Sequence, residues 1–419
     1  MKKSRLVALL STISVVCILA IVMVALPAFA ATDILTERDK SYLSTFGKDT
    51  ASFNEMSAEE KWDCVVNMDA NGSEKTPYYT KYLMKAIKGV AGAIDKVPVN
   101  LNAVKSGIVS VVTKILNKYS SETPVVSNST ATVYFTSDIS PEGLVKIYEA
   151  LGWTPTGDVA VKLSTGEGEG SYNLDPALIE KLVKNVNGTI VECNTAYPGS
   201  RSSTAQHMKV AEQRGYTAIA NVDIMDAEGT MNLPVKNGKH LPYDVVGSHF
   251  ANYDSFIVLS HFKGHTMGGF GGAIKNISIG IGSSSGKCFI HTAGKSKLIM
   301  ISPNQDAFLE SMAEAGKAVS DSLGNGERII YINVMNNISV DCDCVANPSA
   351  PTMADVGILA STDPVAVDQA CVDIVYAHEN TDGAEVIERM ESRNGIHTLD
   401  YAQQIGLGTR SYELVNIDE

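Results

Sequence analysis

Basic residues are in short supply. The 419-residue sequence sets 34 Lys and Arg against 47 Asp and Glu, a formal net charge of −13. Such a chain offers phosphates no continuous basic surface, which excludes nucleic acid as a partner. Cysteine spacing excludes a second class. Among seven cysteines no Cys-x-x-Cys-x-x-Cys run occurs, so the sequence carries no ferredoxin-type cluster motif. Neither GxGxxG nor GxxxxGK[ST] is present, which removes the dinucleotide and P-loop fingerprints, and there is no internal repeat. What remains is an acidic chain with 44% apolar residues, the composition of a soluble globular protein, long enough for one large α/β domain and a smaller appendage.

The amino terminus has its own composition. Lys2, Lys3 and Arg5 precede a nearly unbroken apolar run from Leu6 to Leu26, and Ala28-Phe29-Ala30 follows as a small-x-small pattern. Residues 1–30 thus read as a secretory signal peptide, with an uncleaved membrane anchor as the alternative. Both readings place the body outside the cytoplasm, secreted or in the cell envelope, and confine membrane contact to this segment. Cys17 follows Ser14-Val15-Val16 and lacks the pattern expected of a lipid-anchor site.

Residues 31–121 read as a helical region, with apolar periodicity over 82–94 and 101–116, and the polar stretch 122–132 reads as a linker. From Val133 to the end, strands and helices alternate. Strands are expected at 133–136, 159–163, 189–192, 256–259, 329–334 and 356–360. Between them, Ser140-Pro141 and Asp175-Pro176 open helices that Gly152 and Gly188 close, and further helices are expected at 204–215, 307–323, 364–376 and 384–393. Strands separated by helices of this length predict an α/β fold, a mostly parallel sheet with helices on both faces.

In such a sheet, ligands collect at the carboxyl ends of the strands. The strand holding Lys162 runs into a Gly-Glu loop, Ser164 to Gly170, expected to be flexible. The next is followed by Asn194 to Arg201, with His207 beyond, and the strand at 256–259 by the densest cluster, His261 to Asn276. There Gly268, Gly269, Gly271 and Gly272 allow backbone N–H groups to face an anion, and Lys263, Lys275 and Lys287 supply charge to neutralise it. His261 and His265, four apart, would share a helix face, but without an intervening Glu they make a poor zinc pair. Asp341, Cys342, Asp343 and Cys344 place two thiols and two carboxylates together, suited to iron or zinc given partners from elsewhere. A disulfide within Cys-x-Cys would be strained, so distant cysteines are the alternative partners. Asp363, before Pro364, is by position a helix cap.

Taken together, the Lys162 strand with its Gly-Glu loop, NTAYPGSR (194–201), SHFKGHTMGGFGGAIKN (260–276), Gly286-Lys287, His291, DCDC (341–344) and ADVGILASTDPVAVDQACVDIVY (354–376) resemble the domain-of-unknown-function 362 family, whose members are often labelled iron–sulfur-centre proteins. The resemblance covers about residues 133–376. The ferredoxin-like insertion that many members carry is missing, since no cysteine lies between His291 and Asp341. The resemblance implies a site at Lys162, Arg201, His265, Lys275, Asn276, Lys287, His291, Asp341, Cys342, Cys344 and Asp363. The reading that results is an extracytoplasmic enzyme, metal- or thiol-dependent and of redox type, acting on an anionic small molecule. Lys162, Arg201, Lys263, Asn276, Lys287 and the four glycines would bind, His265, Lys275, His291 and Asp363 would catalyse, and Asp341, Cys342 and Cys344 would hold iron, zinc or an iron–sulfur centre. The alternatives are a non-catalytic cofactor- or metal-binding protein of the envelope and a structural envelope protein.

Overall fold

A computed structural model describes residues 130–418, apart from 169, 302 and 303, together with Lys105. The chain divides into two units, Met1–Val125 and Val126–Glu419, and the second holds the whole of the sheet. The signal segment 1–30, the helical region 31–121 and all but the last residues of the linker 122–132 lie outside the described residues.

Among the described residues, eight strands form the central sheet. They are β1 (Ala131–Thr136), β2 (Val159–Lys162), β3 (Thr189–Glu192), β4 (Val222–Ile224), β7 (Ser255–His261), β10 (Ile329–Met335), β11 (Gly357–Ser361) and β12 (Tyr412–Asn416), in the spatial order β12-β1-β11-β10-β7-β2-β3-β4. Two hairpins stand beside it, β5 (Thr230–Pro234) with β6 (Tyr243–Gly247) and β8 (Lys263–His265) with β9 (Gly269–Gly271). β1 starts at Ala131, so two residues of the expected linker belong to the sheet. The sheet is mostly parallel, as its alternation with helices predicts. Only β11 runs against its neighbours, antiparallel to both β1 and β10. The reason is the connection: no helix occurs between Asn336 and Val356, and a parallel return needs a crossover.

Both faces are covered. Val159, Val161, Ile257, Leu259, Ile330 and Ile332 point into one apolar core, while Ala160, Phe256, Val258, Ile329 and Tyr331 point into the other. That double burial is why these strands read as continuous apolar runs. On the first face lie α1 (Pro141–Ala150) and α2 (Pro176–Asn185). Each has Pro in its first turn and a side-chain cap, Ser140 accepting from Gly143 N and Asp175 from Ala177 N. α2 buries Leu178, Ile179, Leu182 and Val183 along one stripe, each side chain contributing about 1.5–3 kcal/mol of transfer free energy. α3 (Thr204–Gln213) and α4 (Tyr216–Ile219) follow β3. After β9 the chain forms α5 (Ala273–Lys275), a π-helical turn at Asn276–Gly280, α6 (Ser284–His291) and α7 (Gln305–Ser322). α8 (Pro364–Ala377), α9 (Ala384–Ser392) and α10 (His397–Gln404) follow β11.

Candidate functional site

β2 and β7 are adjacent and parallel, yet the chain leaves β2 towards β3 and β4 on one side and leaves β7 towards β10 on the other. Strand order reverses at that junction, and in open α/β sheets the crevice beyond it is where ligands bind. Here it holds a cavity of about 270 Å³. Lys162 ends β2, Glu192 ends β3 and His261 ends β7, so three neighbouring strands deliver side chains to its floor.

Five cationic side chains line the cavity, Lys162, Arg201, Lys263, Lys275 and Lys287, against two carboxylates, Glu192 and Asp343. Lys162 is saturated: its Nζ donates to Leu163 O at 2.6 Å, Glu192 Oε2 at 3.0 Å and Asn276 Oδ1 at 3.1 Å. Arg201 bridges Glu192 and Glu167, at 3.0 Å to each. Burial alone would raise the Glu192 carboxyl, but Lys162 and Arg201 outweigh it and hold Glu192 ionised. Burial also opposes charge on Asp343, and there Lys263, paired with its Oδ1, and His261, at 3.4 Å, prevail. Among the described residues Lys287 donates only to the carbonyl of Gly282, at 2.6 Å. Lys275 has no hydrogen bond or ion pair among the described residues. Burial lowers its ammonium to about 8, with Lys162 and Arg201 adding to the shift and Asp343 opposing it. Two ammonium groups therefore enter the cavity without a carboxylate of their own.

Two of the three histidines lining the cavity, His265 and His291, are neutral and complementary. His265 Nδ1 accepts from Gly268 N at 2.7 Å and from Met267 N at 3.3 Å, so its proton sits on Nε2. His291 Nδ1 donates to Lys287 O at 2.6 Å, which leaves the lone pair on Nε2. Burial pushes His265 far below the ordinary range and His291 to about 4, and the charge of Lys275 adds to both shifts. One imidazole is thus a donor and the other an acceptor at neutral pH.

Cys342 and Cys344 are joined in a disulfide with Cα atoms 5.3 Å apart, within the range such a bond needs. The turn that closes Val345 N onto Cys342 O, at 3.0 Å, brings them together, so the expected pairing with distant cysteines does not occur; Cys193, Cys288 and Cys371 are buried and free. Gly264 lets this segment reach the cavity. A Cβ there would stand 2.5 Å from Val340 O, so a bare glycine lets the backbone approach β8 and sets Asp343 beside Lys263. Ligand atoms of His265, Cys342 and Cys344 lie within 4.8 Å of one another, a grouping able in composition to hold a metal ion. Two observations oppose a metal in the present state. The sulfurs are bonded to each other, and the backbone donors on His265 Nδ1 fix a proton on Nε2, the nitrogen that would otherwise ligate.

The structure gathers most of the sequence-derived residues and disperses the rest. Lys162, Arg201, Lys263, His265, Gly271, Gly272, Lys275, Asn276, Lys287, His291, Cys342 and Cys344 all line the cavity. Gly268 and Gly269 do not. The glycine-rich segment forms the β8–β9 hairpin, Gly268 N donates to His265 Nδ1, and the amides of Ala273 and Ile274 bind the Asp368 carboxylate at 2.7 and 3.0 Å. At Ala273 and Ile274 the anion is therefore the protein's own Asp368. His261 and His265 sit on strands, not on one helix face. The loop after β2 is pinned, with Thr165 and Glu167 buried. Asp341 turns away to Ser349 and to Arg389 at 3.1 Å, and Asp343 takes the cavity position instead. Asp363 caps α8, accepting from Val365 N and Ala366 N, and holds Thr409 N as well, away from the cavity. Not among the expected site residues are Glu192, Glu167 of the Gly-Glu loop and Tyr197 of the 194–201 segment, whose hydroxyl donates to Cys344 O at 3.1 Å. Glu192 was within reach of the rule that found Lys162, since it too ends a strand.

Among solved structures the chain is similar to the lactate racemase apoprotein from Thermoanaerobacterium thermosaccharolyticum, with 14% identity and a TM-score of 0.35 over 58% of this chain and 56% of that one. It is also similar to a protein from Thermotoga maritima, with 14% identity and a TM-score of 0.34 over 60% and 58%. The chain thus spans a little over half the length of each. Comparison with curated proteins gives no match. The model of the domain of unknown function (DUF362) matches residues 159–373, from the first residue of β2 into α8, and the chain belongs to that family.

Proposed function

We propose that the protein is a thiol-dependent enzyme of redox type that binds an anionic small molecule in this cavity and works outside the cytoplasm. The observation that carries the reading is that Lys275 and Lys287, neither paired with a carboxylate, share one cavity with the Cys342–Cys344 disulfide. A pair of uncompensated ammonium groups in a partly dehydrated cleft attracts an anion. The disulfide is one half of a couple in which two electrons and two protons open it to two thiols. His265 then offers a proton and His291 a lone pair to the bound molecule. The metal reading narrows to one condition: iron or zinc would need the reduced pair, and His265 as it stands opposes ligation. The location rests on the apolar segment after Lys2, Lys3 and Arg5, and an intrachain disulfide fits an oxidising compartment.

Sulfate, which does not titrate near neutrality, tests the anion part by calorimetry. It should bind the wild-type chain, and Lys287→Met should weaken it about tenfold or more, the value of one charge-assisted hydrogen bond. Equilibration with glutathione buffers and thiol counting tests the redox part: reduction should expose two further thiols reversibly, and Cys342→Ser with Cys344→Ser should abolish the increment. A chain that binds no sulfate sinks the reading. One that binds sulfate but whose cysteine pair does not cycle is a non-catalytic binder.

A further inference from the structure

We infer that Lys275 is an amine nucleophile that forms an imine with the carbonyl carbon of an anionic substrate, a compound carrying a carbonyl beside a carboxylate or phosphate. The inference rests on the anion-binding part of the proposed function and adds the substrate class and the bond made. Geometry separates Lys275 from the other lysines of the cavity. Lys162 and Lys263 are each engaged in an ion pair, with Glu192 and Asp343, so neither nitrogen is left open to a substrate, although burial also lowers the Lys162 ammonium. Lys287 is tied to Gly282 O, just before α6. The Nζ of Lys275, at the end of α5, meets no acceptor among the described residues, so no hydrogen bond holds its proton, and Asp343 and Glu192 favour the charged form only from a distance. Its lowered ammonium, at about 8, agrees: at pH 7 about a tenth is free amine, against well under a thousandth for an ordinary lysine.

The groups around it suit each step. Lys287 supplies a charge for the substrate's anionic group, and the Nε2 proton of His265 can polarise the carbonyl oxygen. Attack by the neutral amine forms the C–N bond while the carbonyl oxygen takes up a proton. Loss of that hydroxyl as water, with both amine protons leaving nitrogen, gives the neutral imine, so amine and carbonyl are consumed and one water is released. The Nε2 lone pair of His291 is the acceptor for a proton leaving nitrogen. The cavity thiol Cys193 does not compete as nucleophile, because its Sγ donates to Ile281 O at 3.2 Å and burial pushes it up to about 12.

Reductive trapping tests this on the full chain. Pyruvate, dihydroxyacetone phosphate and acetone are each incubated with sodium cyanoborohydride at pH 7, and the modified lysine is located by peptide mass mapping. Lys275 should be labelled faster than other lysines by on the order of a hundredfold, the ratio of free amine. Pyruvate against dihydroxyacetone phosphate tells carboxylate from phosphate, and acetone, lacking an anion, should label Lys275 poorly. Malonate should protect Lys275 in the wild-type protein, a readout independent of any variant, and Lys275→Arg should remove the adduct. Labelling spread evenly over surface lysines while malonate still binds by calorimetry overturns the imine and leaves the anion site standing. Failure of malonate and sulfate to bind at all removes the site itself. Equal labelling by acetone overturns the anionic substrate class.

Discussion

At the residue scale, the cavity separates side chains that hold the site together from side chains left free to act. Glu192 belongs to the first group, since Lys162, Arg201 and Thr165 N all depend on it. Glu192→Gln leaves two buried cations partly uncompensated and should destabilise the protein by about 3–5 kcal/mol in urea unfolding. Asp341→Asn, which loosens partly exposed contacts with Ser349 and Arg389, should cost no more than about 1 kcal/mol and leave sulfate affinity unchanged. Lys275 belongs to the second group. Because its ammonium form exists below about pH 8, sulfate affinity should hold steady beneath that value and decline above it, and calorimetry on Lys275→Met should show weaker binding without that inflection. The sequence revealed Lys275 and His265 as candidates but not the difference between Lys275 and Lys162, which hydrogen-bond partners decide.

At the scale of elements, the β8–β9 hairpin and the cap of α8 are structural devices in positions that read as functional. Gly269 has φ +84° and a Cβ there would stand 2.8 Å from Gly395 Cα, so Gly269→Ala should cost more than the about 1–2 kcal/mol of a left-handed residue alone. A lowered midpoint of thermal unfolding is the measure. Asp363→Ala removes a cap serving two α8 amides and should cost about 1–2 kcal/mol while sulfate binding stays as it was. Helix starts were legible because Ser140-Pro141, Asp175-Pro176 and Asp363-Pro364 are local signals. The β8–β9 hairpin and the edge strand β4 were not, because β8, β9 and β4 have only three residues each and carry no period to detect.

Across the whole molecule, the buried histidines tie stability to pH. His207 and His291 are held neutral by burial, at about 3 and 4, and His265 lies well below its ordinary value. The unfolded chain protonates them near 6.5, so their contribution is complete above that pH and is lost as pH falls from about 6.5 towards 4. Buried Asp368 and Asp244, raised to about 6 and 7, act in the opposite sense, losing stability as pH rises through those values. Comparing urea midpoints of wild type and His207→Gln isolates one histidine: the variant should lose less stability between pH 6.5 and 4. The sequence by itself determined the α/β class, most elements of the sheet and the segments that meet at its carboxyl edge, because caps, prolines and apolar runs act over a few residues. Only the tertiary structure decided the direction of β11, the choice of Asp343 over Asp341, the occupation of the Ala273 and Ile274 amides by Asp368 and the closure of Cys342 onto Cys344. Each of these depends on which distant backbone or side chain arrives within a few ångströms, and no local pattern encodes that.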